Sequence, residues 1–246
     1  MTTLHNDDWI AGADGFRDGW MVVLWRPATG TVRRRTVDDV NALWALPEAP
    51  AMLGIDMVIG CPDTARPGGR LCDHSARQLL GHPRGASVFS PPAYDALQAD
   101  TYDDAQRRNR ASGPDAPGLS KQAYHLFPKM RALAQSMTPN RQDRVREVHP
   151  ELSFYAMNDD TPVADSKHTD DGRTARLDLL AAQGVSDIRD VVDARAGGAL
   201  GADDIIDAHA ACWTARRMHE GTAERCPPLA DEAPTNARGL RMEIWR

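Results

Sequence analysis

The chain has 246 residues, 41% hydrophobic and 26% charged, which are ordinary proportions for a globular protein. Its formal net charge of -6 argues against a large non-specific DNA-binding surface, because dedicated nucleic-acid binders are usually basic as a whole. No run approaches the roughly 20 apolar residues of a membrane span, and no basic region precedes an apolar one at the start, so we expect a cytoplasmic protein without membrane partners.

Three strands, a short helix and a fourth strand are predicted in the first 60 residues. An apolar run that ends at Asp14 predicts the first strand. After a turn, the bulky residues from Gly19 to Trp25 predict a second strand. Thr31 to Val37 alternates as an outer strand does, and a short helix is expected to start at Asp38. The compact apolar run from Ala51 to Gly60 is typical of a strand buried on both faces.

Prolines and glycines interrupt the segment from residue 61 to 140. Short helices fit between the breaks, at Asp73 to Leu80 and at Lys121 to Ser136. We interpret this segment as an elaborated insertion that packs over the sheet after the fourth strand. The whole chain, 1–246, is therefore predicted to form one domain.

The rest of the chain predicts one more strand and three helices. The strand ends near His149, and Pro150 suits the first position of the helix that follows. A later helix is expected to stop at Gly184. The run from Ala202 to Gly221 is the clearest helix, because acids open it and basic residues close it, as the helix dipole favours.

Two of the predicted strands each contain a lone acid, Asp14 and Asp56. Burying an ionised carboxylate is costly unless it is paired, hydrogen-bonded or bound to a metal. No lysine or arginine lies within either apolar run. One such acid could cap a turn or pair with a distant arginine. Two acids from strands that could lie side by side instead indicate that their carboxylates converge at one site.

The last helix offers further acids, Asp203, Asp204 and Asp207. Asp204 and Asp207 are three residues apart and share a helical face. Acids at a helix start also act as caps, so separate caps and ion pairs are the competing explanation. With Asp14 and Asp56, the pair could form an oxygen-only site, which suits Mg²⁺ or Mn²⁺ and could hold the two ions that clamp a phosphoryl group.

Nine segments, in order and with characteristic spacing, carry a resemblance to a known family from about residue 10 to the C-terminus. They are GADGFRDGW, GIDMVIGCP, RLCDHSARQLLG, SVFSPP, SKQAYHLFPKM, EVHPELSF, SKHTDDGRTAR, DDIIDAHAA and GLRMEIW. The chain resembles the DUF429 family, which consists of predicted nucleases with a ribonuclease H-like fold. The family usually has proline where Val58 stands here, a departure that leaves Asp56 in place.

The resemblance implies an α/β fold with a mixed five-stranded sheet, in strand order 3-2-1-4-5, flanked by helices. It places Asp14 at the metal-binding position of the first strand and Asp56 beside it on the fourth. Asp204 and Asp207 resemble the paired helical acids of resolvase-type members, and Glu147 is an expected auxiliary metal ligand. Glu151 is a further candidate, or a helix-start acid beside Pro150. These residues imply Mg²⁺- or Mn²⁺-dependent hydrolysis of phosphodiester bonds in nucleic acid.

The basic residues of the shared segments leave alternatives open. Arg70 and Arg77 could place a substrate phosphate over the site, or they could staple the insertion to the core. Lys167, Arg173 and Arg176 could hold the scissile phosphate, or they could be solvated surface residues. A non-catalytic nucleic-acid- or phosphate-binding protein that retains the fold is the main alternative to a nuclease, and phosphoryl transfer involving a small molecule is a third possibility.

Overall fold

The computed structural model describes residues 7–246. Its central sheet has five strands, which are β1 Ile10–Phe16, β2 Gly19–Arg26, β3 Thr31–Val37, β4 Met52–Asp56 and β5 Val145–Glu147. They lie in the order β3-β2-β1-β4-β5. β1, β2 and β3 are joined as antiparallel neighbours, whereas β4 lies parallel to both β1 and β5. The mixed sheet and the strand order expected from the sequence are therefore confirmed.

Helices flank this sheet. Those before β5 are α1 Val40–Trp44, α2 Leu71–Arg84, α3 Tyr102–Ala111, α4 Lys121–His125, α5 Phe127–Ser136 and α6 Pro139–Gln142. Those after it are α7 Pro150–Met157, α8 Asp170–Ala182, α9 Ile188–Arg195 and α10 Ala202–Glu220. A two-stranded sheet of β6 Arg225–Cys226 and β7 Ile244–Trp245 follows. Among residues 7–246, no helix combines the length and apolar character needed to cross a bilayer.

The helix ends follow local chemistry in most places. Gly221 adopts the left-handed conformation after α10, as expected of a glycine that ends a helix. The single helix predicted from Lys121 to Ser136 is instead two, α4 and α5, joined at Leu126. Pro128 explains the break, because it lacks the N–H that a continuous helix would use and it fits the first turn of a new one. α9 was not predicted from the sequence.

The two faces of the sheet are covered by different parts of the chain. Alternate strand residues such as Met21 and Val23 pack with Ile205 and Ala208 of α10 and with Phe154 of α7. Side chains on the opposite face join α1 and helices of segment 61–140 in one buried cluster, which includes Ala11, Ala13, Ile55, Leu97, Phe127 and Met130. Segment 61–140 thus contributes to the core beneath the sheet.

Two glycines bring α10 close to the sheet. Gly12 and Gly54 are directly paired on β1 and β4. A Cβ atom at Gly12 would overlap the backbone of Cys212, and one at Gly54 would lie 2.6 Å from the carbonyl oxygen of Ala211. The helix backbone therefore occupies the space that side chains would fill, and this close approach determines where the acids of α10 lie relative to the strands.

Candidate metal centre

The two lone strand acids lie side by side. The parallel pairing of β1 and β4 ends with Asp14 directly opposite Asp56. Each acid is two residues beyond the glycine that faces α10, and residues two apart on a strand point to the same face. Asp14 and Asp56 therefore point toward α10 at the carboxyl end of the parallel strands.

Asp207 on α10 completes a cluster of three carboxylates. One oxygen atom from each of Asp14, Asp56 and Asp207 lies within 4.8 Å of the others. Asp14 is 7% exposed and Asp207 is 3% exposed, whereas Asp56 is partly buried. A buried all-oxygen cluster of this size could hold a metal ion, and its ligand type suits a hard divalent cation.

Burial and mutual repulsion oppose ionisation of this cluster. Burial, followed by the charges of Asp56 and Asp207, raises the pKa of Asp14 well above its ordinary value. Burial and then Asp207 raise the pKa of Asp56 to about 8. Burial also raises the pKa of Asp207, although the neighbouring Lys167 opposes that shift. A bound cation would reverse this effect, because it favours the ionised carboxylates.

Lys167 is the cation that contacts the cluster. Its Nζ donates a hydrogen bond to Oδ2 of Asp207 across 2.6 Å. Within residues 7–246, the other carboxylate oxygen of Asp207, Oδ1, is buried and has no hydrogen-bond partner. An unpaired buried acceptor is rare in folded proteins, and a metal ion would satisfy it. The unpartnered Oδ1 of Asp207 therefore supports a metal ion at this site independently of the distances between the three carboxylates.

The cluster lies in a cavity of about 360 Å³. Besides the three acids, its walls include Arg84, Phe89, Gln122, His149, Lys167 and His168. The insertion supplies Arg84, Phe89 and Gln122, which our sequence analysis did not single out. Arg84 lies just before the shared segment SVFSPP and Phe89 lies within it, but nothing in their local pattern shows that they face the acids.

A protein-family model described as "Protein of unknown function (DUF429)" matches residues 12–232 of this chain. The chain belongs to the DUF429 family. The match covers most of the chain and confirms the resemblance inferred from the nine segments. No curated protein and no solved structure matched the chain.

In this DUF429 protein, Asp204 lies apart from the three-carboxylate cluster. Its Oδ2 accepts a hydrogen bond of 2.6 Å from the backbone N–H of Gly201, at the start of α10. This is the capping role that competed with metal binding in the sequence analysis. Its charge still acts on the cluster, since it contributes to the raised pKa of Asp14.

Glu147, the expected auxiliary ligand, is held by an arginine. Its two carboxylate oxygens accept hydrogen bonds of 2.8 and 2.5 Å from Arg70, and one of them also accepts the backbone N–H of Ile59 at 2.7 Å. Glu151 is paired in the same way with Arg176, across 3.0 and 2.7 Å. Of the five acids expected as metal ligands, Asp14, Asp56 and Asp207 converge, whereas Asp204 and Glu147 are bonded to other groups.

Arg70 takes the second of the two roles considered for it. All of its guanidinium nitrogens bond within the protein, to Asp73, to Glu147 and to the carbonyl oxygen of Ile59. Its side chain is 1% exposed, so no donor is left for a substrate phosphate. Arg70 instead links the start of α2 in the insertion to β5 in the core sheet.

Arg77 also bonds inside the insertion, to the carbonyl oxygens of Gly68 and Val88 and to Oγ of Ser90. It therefore holds two loops together and does not reach the cavity.

Arg173, in the first turn of α8, is partly buried and is not one of the cavity-lining residues in the described part of the chain. Of the four basic residues expected to bind substrate, Arg70 and Lys167 line the cavity. Arg70 is bound to Asp73 and Glu147, whereas the ammonium of Lys167 lies beside Asp207 of the cluster.

Proposed function

We propose that this DUF429 protein is a metal-dependent nuclease that hydrolyses phosphodiester bonds of nucleic acid. The observation that carries the proposal is the convergence of Asp14, Asp56 and Asp207 from two strands and a helix, in a cavity that also presents cationic side chains. The sheet order, consistent with a ribonuclease H-like fold, supports this assignment by analogy only, because a fold can host unrelated activities.

The three carboxylates would hold Mg²⁺ or Mn²⁺, which when bound supplies Lewis-acid stabilisation of charge on the phosphate oxygens. Asp14, Asp56 and Asp207 with Lys167 carry a formal charge of -2 when all are ionised, which one divalent cation neutralises. We therefore propose one protein-held cation in place of the two predicted from four acids. Lys167 would donate to a phosphate oxygen while its bond to Asp207 keeps it in position.

The alternative is a non-catalytic nucleic-acid- or phosphate-binding protein. One observation favours it: Lys167 already offsets part of the cluster's charge through its 2.6 Å bond to Asp207. Because Lys167 neutralises part of the charge, the carboxylates have less need of a metal ion. The other cationic side chains of the cavity could then bind a phosphate without cleaving it.

The decisive experiment combines metal binding with cleavage. Calorimetry with MnCl₂ measures binding, while labelled single strands, duplexes, RNA–DNA hybrids and branched junctions are incubated with Mg²⁺ or Mn²⁺. We expect cleavage that EDTA abolishes and that the double variant Asp14→Asn/Asp207→Asn lacks. The matched control is Asp103→Asn/Asp115→Asn, which removes two exposed acids from the insertion and should cleave like the parent.

Three results would count against the proposal. If the double variant cleaves as fast as the parent, the activity belongs to a contaminant. If the parent binds Mn²⁺ but cleaves none of the substrates, the binding-protein alternative takes over. If the parent binds no Mn²⁺, the carboxylate cluster is not a metal site.

A further inference from the structure

Arg84 is an arginine of the cavity with a free donor, because among the described residues nothing accepts a hydrogen bond from its Nε. Arg70 and Arg176 both form ion pairs with buried acids. Arg84 lines the same cavity as the carboxylate cluster, its Nε is buried, and within residues 7–246 that atom has no hydrogen-bond partner. A buried guanidinium nitrogen without a partner is unfavourable and points to a ligand that completes it.

The segment that carries Arg84 is held in place from both sides. Oγ of Ser87 donates to the carbonyl oxygen of Arg84 at 2.8 Å. The ring Nε2 of His149 lies 3.3 Å from the carbonyl oxygen of Ser87, and Nε of Arg77 donates to that of Val88 at 2.9 Å. These contacts hold the backbone of the segment against His149 and α2, so Arg84 and Phe89 project from a fixed backbone before any ligand arrives.

Phe89 follows on the same segment and is 36% exposed. It lines the cavity of the acids and also an adjoining cavity of about 240 Å³. The adjoining cavity is mainly apolar, with walls that include Pro67, Pro91, Pro117 and Leu119. An exposed aromatic ring between the cavity of the carboxylate cluster, which presents cationic side chains, and an apolar cavity suits a group that is flat, apolar on its faces and attached to a phosphate.

We propose that Arg84 and Phe89 bind one nucleotide of an unpaired strand. Arg84 takes the phosphate next to the carboxylate cluster, because a guanidinium binds phosphate oxygens through paired donors. Phe89 stacks on the base, which requires a base face that a duplex keeps covered by its neighbours. This inference rests on the proposed nuclease function, and it names single-stranded nucleic acid as the substrate class.

Calorimetry with two small probes separates the two contacts in the full-length protein with MnCl₂. Inorganic phosphate tests Arg84 alone, and adenosine 5′-monophosphate tests Arg84 and Phe89 together. Arg84→Gln should raise the Kd of both probes about tenfold, and Arg84→Lys should recover part of that loss. Phe89→Ala should raise the Kd of the nucleotide about tenfold and leave that of phosphate unchanged, whereas Phe89→Tyr should behave like the parent.

Matched controls replace an arginine and an apolar residue that lie away from the cavity. Arg107→Gln removes an arginine that is 74% exposed on α3, and Leu229→Ala removes an exposed apolar side chain. Both should bind the probes as the parent does. Thermal unfolding followed by circular dichroism verifies that every variant is folded, and the conservative Lys and Tyr variants provide a folded comparison if either truncation is not.

Strand preference is measured with a fluorescently labelled oligonucleotide, alone and annealed to its complement. We expect the single strand to be cleaved at least tenfold faster. Equal rates for the two forms, or Kd values of Arg84→Gln and Phe89→Ala that match the controls, would overturn the inference while leaving the nuclease proposal intact. Nucleotide binding that depends on both residues, without cleavage of any substrate, would overturn the nuclease proposal and leave this nucleotide site standing.

Discussion

Position within α10 decides the different roles of its two acids. Asp204 is at the third position of the helix, where its carboxylate can reach back to the free backbone N–H of Gly201. Asp207 is one turn further along, where backbone N–H groups already bond within the helix, and it is 3% exposed. Its carboxylate must therefore find a partner outside the helix, and the structure provides Lys167, with the two strand acids close by.

Replacing one acid of the cluster should not destabilise the metal-free protein. For Asp14→Asn we expect an unchanged or higher midpoint of thermal unfolding in EDTA, because burial and the charges of Asp56 and Asp207 disfavour the ionised form of Asp14. With MnCl₂ the midpoint of the parent should rise more than that of the variant, by mass action. Asp18→Asn, in the exposed turn after β1, is the control and should respond to Mn²⁺ as the parent does. A loss of several kcal/mol in EDTA would instead mark Asp14 as a structural acid.

At the scale of elements, the contact of α10 with β1 and β4 builds the site. The paired glycines, Gly12 and Gly54, allow the helix backbone to lie against the strands two residues before each acid. A larger residue at either position would push the helix outward and move Asp207 away from its partners. The geometry of the carboxylate cluster thus depends on residues that carry no chemistry of their own.

Gly12→Ala should therefore disturb stability and metal binding together. Its Cβ would overlap the backbone of Ala208 and Cys212, which cannot move aside without shifting the helix. We expect the free energy of unfolding to fall by about 3 kcal/mol, at the upper end of overpacking effects. Urea denaturation measures that loss, and calorimetry with MnCl₂ measures the weaker binding. Gly30→Asn, at an exposed left-handed position with open space around it, should change neither by much, and a normal Mn²⁺ affinity in Gly12→Ala would refute this account of the site.

His209 on α10 makes stability depend on acid pH. It is buried between the carbonyl oxygen of Ile205, 2.7 Å from Nδ1, and the guanidinium of Arg34, whose Nε donates to Nε2 at 2.8 Å. Burial, aided by the charge of Arg34, lowers the pKa of His209 to about 4. Between pH 6.5 and 4 the unfolded chain therefore binds more protons than the folded one, and stability falls as the pH falls.

The loss attributable to His209 should reach about 2–3 kcal/mol by pH 4.5. Urea denaturation at pH 7 and pH 4.5 measures it as the difference between the parent and His209→Gln, which has no group that titrates in this range. Parallel changes in the two proteins would show that His209 is not held neutral in the fold.

At the scale of the whole molecule, a buried ion network joins the insertion to the sheet. Arg70 binds Asp73 at the start of α2 and Glu147 at the end of β5, and the side chains of Arg70 and Asp73 are each 1% exposed. The network spans 77 residues of sequence between Arg70 and Glu147. It fixes the base of the segment that brings Arg84 and Phe89 to the cavity.

Arg70→Met should therefore act on stability, since it leaves two buried carboxylates without their cation. We expect the free energy of unfolding to fall by about 3–5 kcal/mol in urea denaturation. Arg107→Met, at an exposed position on α3, should stay within about 0.5 kcal/mol of the parent. A stable Arg70→Met variant with weakened phosphate binding would restore the expectation that Arg70 contacts substrate.

The order of the strands and the three acids of the carboxylate cluster, Asp14, Asp56 and Asp207, were accessible from the sequence. Apolar runs with period-two patterns and turn residues are local signals, so β1 to β4 and α10 could be located from a few neighbouring residues each. Asp14 and Asp56 stood out because each is a lone charge inside an apolar run. The resemblance to DUF429 supplied the order of pairing, which local patterns do not contain.

Only the tertiary structure decided which acid pairs with which basic residue, and which charged groups stay free at the site. Lys167 and Asp207 are 40 residues apart, and Arg176 and Glu151 are 25 apart. An arginine that binds a substrate and one that binds a buried carboxylate have the same local sequence signal, because the difference lies in the partner that packing brings to them. For that reason the sequence overestimated the free acids and cations at the site. It also did not single out Arg84, which lines the cavity and whose Nε has no hydrogen-bond partner within residues 7–246.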